Sequence, residues 1–352
     1  MVCPALGELP VPPLGRAGWP WVEESPRLPA AMPDGSPWPL ISIVTPSCNQ
    51  AQFLEETIRS VLLQGYPNLE YIIVDGGSTD RSVDVIRKYE PWLSYWVSEK
   101  DHGQSEAINK GWRRSHGDIV AWLNSDDTYL PGALREVAVF LAAHPETVVA
   151  YSNFCIVDER SRASLVFRVC EFDLHSHMRS NMVPQQSAFV RRRALDAVGM
   201  LDESLHFAMD YDLWIRIARR FRIQHAPGVW ANYRVCPGTK TASQQESFFH
   251  EILNIIERHL TDVDLALATG LSRAEARSRA HLTTGLNYYE LCQTADARRH
   301  LLQAIRAYPR IATNSLLVTC FLKSFLGPQI IDHVRRWWRD PQRRAHSEEP
   351  PR

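Results

Sequence analysis

Between Leu40 and Asp127 the chain alternates short β-branched apolar runs with amphipathic stretches, and the links between them are only a few residues long. The apolar runs are "LISIVTPS", "EYIIVDGGSTD", "LSYWVSEKD" and "DIVAWLNSDD". Between them lie "FLEETIRSVLLQG", "DRSVDVIRKYE" and "GQSEAINKGWRRS". In the first of these, apolar residues at 54, 58, 61 and 62 form one helical face, and Gly65 closes it. Strand–helix alternation on short links predicts parallel strands joined by crossover helices, a doubly wound α/β sheet. In such a sheet, ligands sit beyond the carboxyl ends of the strands.

That rule gives the polar residues a common place. The four strand ends read Thr45-Pro46-Ser47, Asp75-Gly76-Gly77, Glu99-Lys100-Asp101 and Asp126-Asp127. Helix capping accounts for Ser78, Asp80 and Ser105. It does not account for carboxylates after three successive strands, so a shared acidic rim is expected. Two adjacent carboxylates at the end of a buried strand repel each other and lose hydration. A divalent cation such as Mg²⁺ or Mn²⁺, sharing its shell with substrate phosphates, would offset that. Neither GxxxxGK[ST] nor a GxGxxG after the first strand is present, which argues against Walker-type and dinucleotide sites. A metal-held diphosphate leaving group is the chemistry that remains.

The 352 residues, 45% hydrophobic and 22% charged, suit about two globular domains. A net charge of −1 gives no global field for nucleic acid. The longest apolar stretch, Leu316 to Leu326, contains Lys323 and is too short to span a bilayer. No secretory pattern opens the chain, and its seven cysteines are scattered without CxxC, as in a cytoplasmic protein with reduced thiols. Four segments are expected: a Pro-rich disordered leader over 1–38, an α/β domain over 39–240, a helical region over 241–340 and a disordered tail over 341–352.

Three stretches, "ISIVTPSCNQAQFLEETIRSVLLQGYPNLEYIIVDGGSTDRS", "SEKDHGQSEAINKGWRRSHGDIVAWLNSDD" and "FAMDYDLWIRIARRF", together resemble family 2 glycosyltransferases of the GT-A fold, over about residues 39–236. The resemblance implies a Rossmann-like, mostly parallel sheet and an inverting, metal-dependent transfer of one sugar. The donor would be a nucleotide-diphosphate sugar and the acceptor a hydroxyl of a glycan or lipid-linked molecule. By this resemblance Thr45, Pro46, Asn49 and Asp75 cradle base and ribose, Asp101 and Gln104 add nucleotide contacts, and Lys110 approaches phosphate. The family's D-x-D metal motif falls on Asn124-Ser125-Asp126; Asn124 replaces the first Asp and keeps a ribose contact. Asp126 and then Asp127 are the implied ligands of Mn²⁺ or Mg²⁺. Asp210, in "FAMDYDLWIR", matches the general base, with Met209 where a Glu is usual, and Asp212 is read as a capping or structural residue. Gln185, Gln186 and Trp214 are implied acceptor contacts.

Cys236 stands where relatives often carry a His, which puts metal affinity in question, since a thiol suits Mg²⁺ or Mn²⁺ poorly. No QxxRW follows Asp210, which disfavours processive polymerisation. With Asn124 and Met209, these departures support a second reading, a catalytically inactive nucleotide-sugar or glycan binding module. His175 and His177 are expected to be solvated rather than metal-bound. "TTGLNYYELCQTADARRHLLQAIRAYPR" resembles a tetratricopeptide-type hairpin, with Ala295 to Pro309 as its second helix. Beyond it, "LLVTCFLKSFLGPQIIDHVRRWWRD" mixes apolar residues with Arg335, Arg336, Trp337, Trp338 and Arg339. That mixture suits an interfacial helix making peripheral contact with the inner face of a membrane.

Overall fold

In the computed structural model the chain forms two compact units, residues 1–177 with 181–237, and residues 178–180 with 238–352. The structure describes residues 2–236 and 245–325. The first unit is built on strands β1 (Ile41–Ser47), β2 (Leu69–Asp75), β3 (Tyr95–Ser98), β4 (Ile119–Trp122), β5 (Thr128–Tyr129), β6 (Thr147–Val157), β7 (Ala163–Phe167), β8 (Ala188–Arg191) and β9 (Arg222–Arg234). Its helices are α1 (Ala51–Leu62), α2 (Ser82–Tyr89), α3 (Gln104–Arg114), α4 (Ala133–Ala143), α5 (Leu174–His177), α6 (Arg192–Val198) and α7 (Met209–Ala218).

The strand order is β3-β2-β1-β4-β8-β6-β9-β5, with β7 paired to β6. The β3-β2-β1-β4 half is parallel, as the alternation predicts. Beyond β4 the direction reverses at β8, and the second half is mixed. The predicted stripe of α1, Leu54, Ile58, Val61 and Leu62, is fully buried and packs with Ile41, Ile43, Ile73 and Leu123 in one core. Burying a side chain of this kind contributes about 1.5–3 kcal/mol, so the stripe fixes α1 firmly on the sheet.

Residues 2–38 differ from the disordered leader expected. Cys3, Leu9, Trp21, Met32 and Trp38 are buried in the first unit. A Pro-rich chain has carbonyls but few N–H groups, so it needs donors from outside. The fully buried Arg59 of α1 supplies them. Its Nε donates to the Pro20 carbonyl at 3.0 Å, Nη1 to Pro10 at 2.9 Å and Nη2 to Trp21 at 2.9 Å. Gly65 is the second requirement: a Cβ there would lie 2.3 Å from the Pro26 carbonyl oxygen, so the leader can cross only a glycine.

In the second unit, helices Arg273–Glu290 and Thr294–Ala307 form the predicted hairpin, with Leu282, Tyr288, Tyr289, Ala297, Leu301 and Ala304 in its core. Gly285 lets the two helices close up, because a Cβ at that position would sit 2.8 Å from Leu301. Helix Ser315–Lys323 follows and leaves Leu316, Val318 and Leu322 exposed. Among the described residues no helix is long and apolar enough to cross a membrane. Arg335 to Arg339 and the expected tail lie outside the described residues.

Arg59→Ala should strip several buried carbonyls of their donor. We expect a loss of about 3 kcal/mol in denaturant unfolding and early proteolytic clipping before residue 38. An unchanged midpoint with an intact leader would contradict this account of the strap.

Candidate active site

The register of the parallel half sets the site. Ser47 of β1 lies opposite Asp75 of β2, Asp75 lies opposite Ser98 of β3, and Val44 lies opposite Trp122 of β4. All four carboxyl ends therefore open on one edge of the sheet. Asp75 is fully buried there. Its Oδ2 accepts from Gly77 N at 3.1 Å, Ser78 N at 2.8 Å and Ser98 Oγ at 2.7 Å, and its Oδ1 accepts from Ser78 Oγ at 2.5 Å. Asp75 thus shapes the loop, and its carboxylate is occupied in doing so. Asn49, at φ +53°, accepts at Oδ1 from Thr79 N at 2.8 Å and ties the loop after β1 to the loop after β2.

Asp101 approaches closely: a Cβ on Gly76 would lie 2.6 Å from its Oδ2. Burial raises the Asp101 pKa, the Gly103 N–H on its Oδ1 at 3.0 Å pulls the other way, and the nearby Glu106 and Asp75 charges raise it further. Gln104, in the first turn of α3, donates from Nε2 to Asn124 Oδ1 at 2.7 Å. Asn124 in turn donates to Gln185 Oε1 at 3.1 Å and to Asp127 Oδ2 at 3.3 Å, and Gln185 Nε2 donates to the Trp122 carbonyl at 2.7 Å. Gln104, Asn124, Gln185 and Asp127, predicted from three separate segments, are one hydrogen-bonded group.

The Asn124–Asp127 turn carries the strongest electrostatic signature. Asp127 is buried, and burial drives its pKa well up, with the charge of Asp126 adding to the rise. Asp126 is half-buried and also raised by burial, while the positive charge of Arg234 acts against the rise. Arg234 N donates to Asp127 Oδ1 at 3.0 Å and its Nε to the Asp126 carbonyl at 2.8 Å. From below, Thr57 Oγ1 of α1 donates to the Ser125 and Asp127 carbonyls at 2.9 and 2.7 Å. Both Asp127 oxygens are therefore engaged inside the protein, whereas Asp126 remains partly exposed.

Asp210 sits in the first turn of α7, half-buried, and its Oδ2 accepts from Asn181 Nδ2 at 2.8 Å. Asp212 is buried and pairs with Arg216 Nε at 2.7 Å, a structural role. Trp214, expected to meet the acceptor, is fully buried; it stacks on Trp122 at 6.0 Å, and Trp122 meets Trp112 edge-on at 5.4 Å. No sugar can reach it, but the stack packs the helix of Asp210 against the strand that leads into Asp126.

Other expectations also change. Gln186 is buried. Thr45 is buried with its Oγ1 3.0 Å from Tyr71 OH, and Pro46 lies inside β1, so both offer the cleft main chain only. Lys110 is bound to Glu99 at 2.6 Å and lies 3.9 Å from Glu106, so its charge is already countered. His177 is not solvated. Burial lowers its pKa to about 3, and its ring lies 5.0 Å from that of Tyr211. Glu56, Arg234 and Asn181 went unnoticed as site residues, because nothing in the local sequence marks them.

Residues 42–199 match the family described as Glycosyl transferase family 2. This part of the chain is a family 2 glycosyltransferase domain. An uncharacterized glycosyltransferase of Rickettsia typhi is 25% identical over 242 residues, covering 66% of this chain and 76% of the relative. Among solved structures, S. aureus TarS 1–349 in complex with UDP-GlcNAc matches with TM-score 0.55 at 17% identity, over 84% of this chain and 91% of that one. The mannosyltransferase PcManGT of Pyrobaculum calidifontis, in complex with GDP-Man and Mn²⁺, matches with TM-score 0.54 at 19% identity, over 85% and 87%. These likenesses establish the GT-A-like fold of the glycosyltransferase.

The raised carboxyls of Asp126 and Asp127 fix the sign of a pH effect. Folding favours their protonated forms. The stability they contribute is complete below the ordinary carboxylate pKa near 3.9 and is lost as pH rises through their elevated values. In metal-free buffer, Asp126→Asn should therefore gain melting temperature relative to the parent as pH rises above about 4. A difference that stays constant with pH would contradict it.

Proposed function

We propose that the domain transfers a single sugar, with inversion, from a nucleotide-diphosphate sugar to a hydroxyl of a glycan or lipid-linked acceptor. The observation that carries this reading is the bonded group Gln104–Asn124–Gln185. It joins the ends of β3 and β4 to the segment before β8 at the edge where a doubly wound sheet binds its ligand. Asn49 and the loop shaped by Asp75 form the nucleotide end of this cleft, and Asp101, Gln104 and Asn124 face the ribose and diphosphate. Gln185 borders the acceptor side.

The donor set suits a hard divalent cation. Asp126 offers one carboxylate, desolvated enough to gain from a cation, and Mg²⁺ or Mn²⁺ commonly takes one or two carboxylates plus substrate phosphates and water. Among the described residues no cluster of three or more His, Cys, Asp or Glu is placed to hold an ion, so the substrate would complete the shell. Bound there, the cation would supply charge neutralisation for the departing diphosphate. The residues do the rest. Asp210, oriented by Asn181, accepts the proton of the acceptor hydroxyl as its oxygen attacks the anomeric carbon. The bond from that carbon to the diphosphate breaks on the opposite face, and the configuration inverts.

Asp210→Asn should lower kcat by about a thousandfold, within the usual range for a general base, and leave the donor KM nearly unchanged, in assays with UDP- and GDP-sugars and Mn²⁺. Equal rates for parent and variant would overturn the assignment of the base. Zero rates for both, with donor binding intact, would establish the binding-module reading instead.

A further inference from the structure

Arg234, the last residue of β9, is 1% exposed, yet its guanidinium reaches three separate segments. Its Nε donates to the Asp126 carbonyl at 2.8 Å. Nη1 donates to the Asp158 carbonyl at 2.9 Å and to Ser161 Oγ at 3.0 Å, both in the turn between β6 and β7. Nη2 meets Glu56 Oε2 of α1 at 3.2 Å, and the charge lies 4.6 Å from the centre of the Phe53 ring. Glu56 is itself 4% exposed, and its Oε2 also accepts from Ser161 Oγ at 2.8 Å. Taking two ions out of water costs several kcal/mol each, and a well-packed apolar pair would often serve stability as well. Fold stability alone gives little reason for the pair. The use of the rigid guanidinium fork does: it holds one carbonyl of the metal-side turn and one of the β6–β7 turn at fixed separation, which a point charge cannot do.

We propose that Arg234, held by Glu56 and Ser161, is a positioning residue for the donor. It fixes the main chain of Asp126 so that this carboxylate meets the cation–diphosphate unit without rearrangement. The same clamp makes donor affinity depend on the β6–β7 turn, a segment that touches neither nucleotide nor cation in the proposed function, on which this inference rests. A loose Asp126 would have to be ordered on binding, and that cost would appear as weaker affinity.

The test is calorimetric titration of the full chain with UDP and with GDP, each with and without Mn²⁺, on the parent, Arg234→Lys, Ser161→Ala and Asp126→Ala. Melting temperature and donor KM and kcat are measured alongside. Arg234→Lys keeps a charge for Glu56 but loses the fork, and should weaken Mn²⁺-dependent nucleotide binding about tenfold. Ser161→Ala, which loses only one hydroxyl, should weaken it about threefold. Donor KM should rise in step, kcat should fall less, and metal-free affinity should stay put. Should Arg234→Lys fail to fold, Ser161→Ala decides. Parent-like Mn²⁺–nucleotide affinity in both variants, with Asp126→Ala abolishing it, would overturn the positioning role and leave the donor site standing. Parent-like affinity in Asp126→Ala, or no binding of either nucleotide by the parent, would overturn the donor site and this inference with it.

Discussion

The arrangement depends on one constraint: two neighbouring carboxyls, Asp126 and Asp127, must share a turn at the end of a buried strand. Burial opposes their ionisation, and their mutual repulsion makes it worse. The protein divides the two by role. Asp127 is turned inward, where Arg234 N and Asn124 Nδ2 occupy its oxygens. Asp126 remains partly exposed while its carbonyl is tied to the Arg234 guanidinium, and in the proposed function its carboxylate faces the cleft. Inward bonding of one residue is what presents the other.

The same logic runs through the rest of the rim. Asp75 gives its carboxylate to the loop it heads, and Gly76 clears the space into which Asp101 moves. Asn124, an amide in a place where the family has an acid, both donates and accepts. It can therefore bridge Gln104 on one side and Gln185 and Asp127 on the other, which a carboxylate could not do. The Trp112–Trp122–Trp214 stack then anchors the helix bearing Asp210 to the strand bearing this turn. In the proposed function, two chemical tasks, holding the leaving group and taking the proton, would thereby rest on adjoining rigid elements.

The alternating half of the sheet was readable because each strand there is buried and short, each helix shows its apolar stripe, and the links leave no other topology. The rim was readable for the same reason: a parallel sheet places all its strand ends on one edge. The leader was not, because its burial rests on isolated aromatics without period and on donors from Arg59, 39 positions from the carbonyl of Pro20. Trp214 lies one turn beyond Asp210 and so resembles a site residue in sequence; only its distant partners Trp122 and Trp112 reveal it as core. The orientation of Asp127 was equally hidden, since the group that fixes it lies 107 residues away. Side chains whose role is set by local period are legible from sequence, and those whose role is set by one long-range partner are not.

Paramagnetic line broadening by Mn²⁺ in the presence of UDP or GDP tests the account most directly, because it reports which backbone amides surround the bound cation. The account predicts loss of the signals of residues 101–104, 124–127 and 234–236 together, with the amides at the amino-terminal ends of β1, β2 and β4, on the opposite edge of the sheet, retained. Broadening that spared residues 124–127, or that fell on surfaces remote from the ends of β1 to β4, would contradict it.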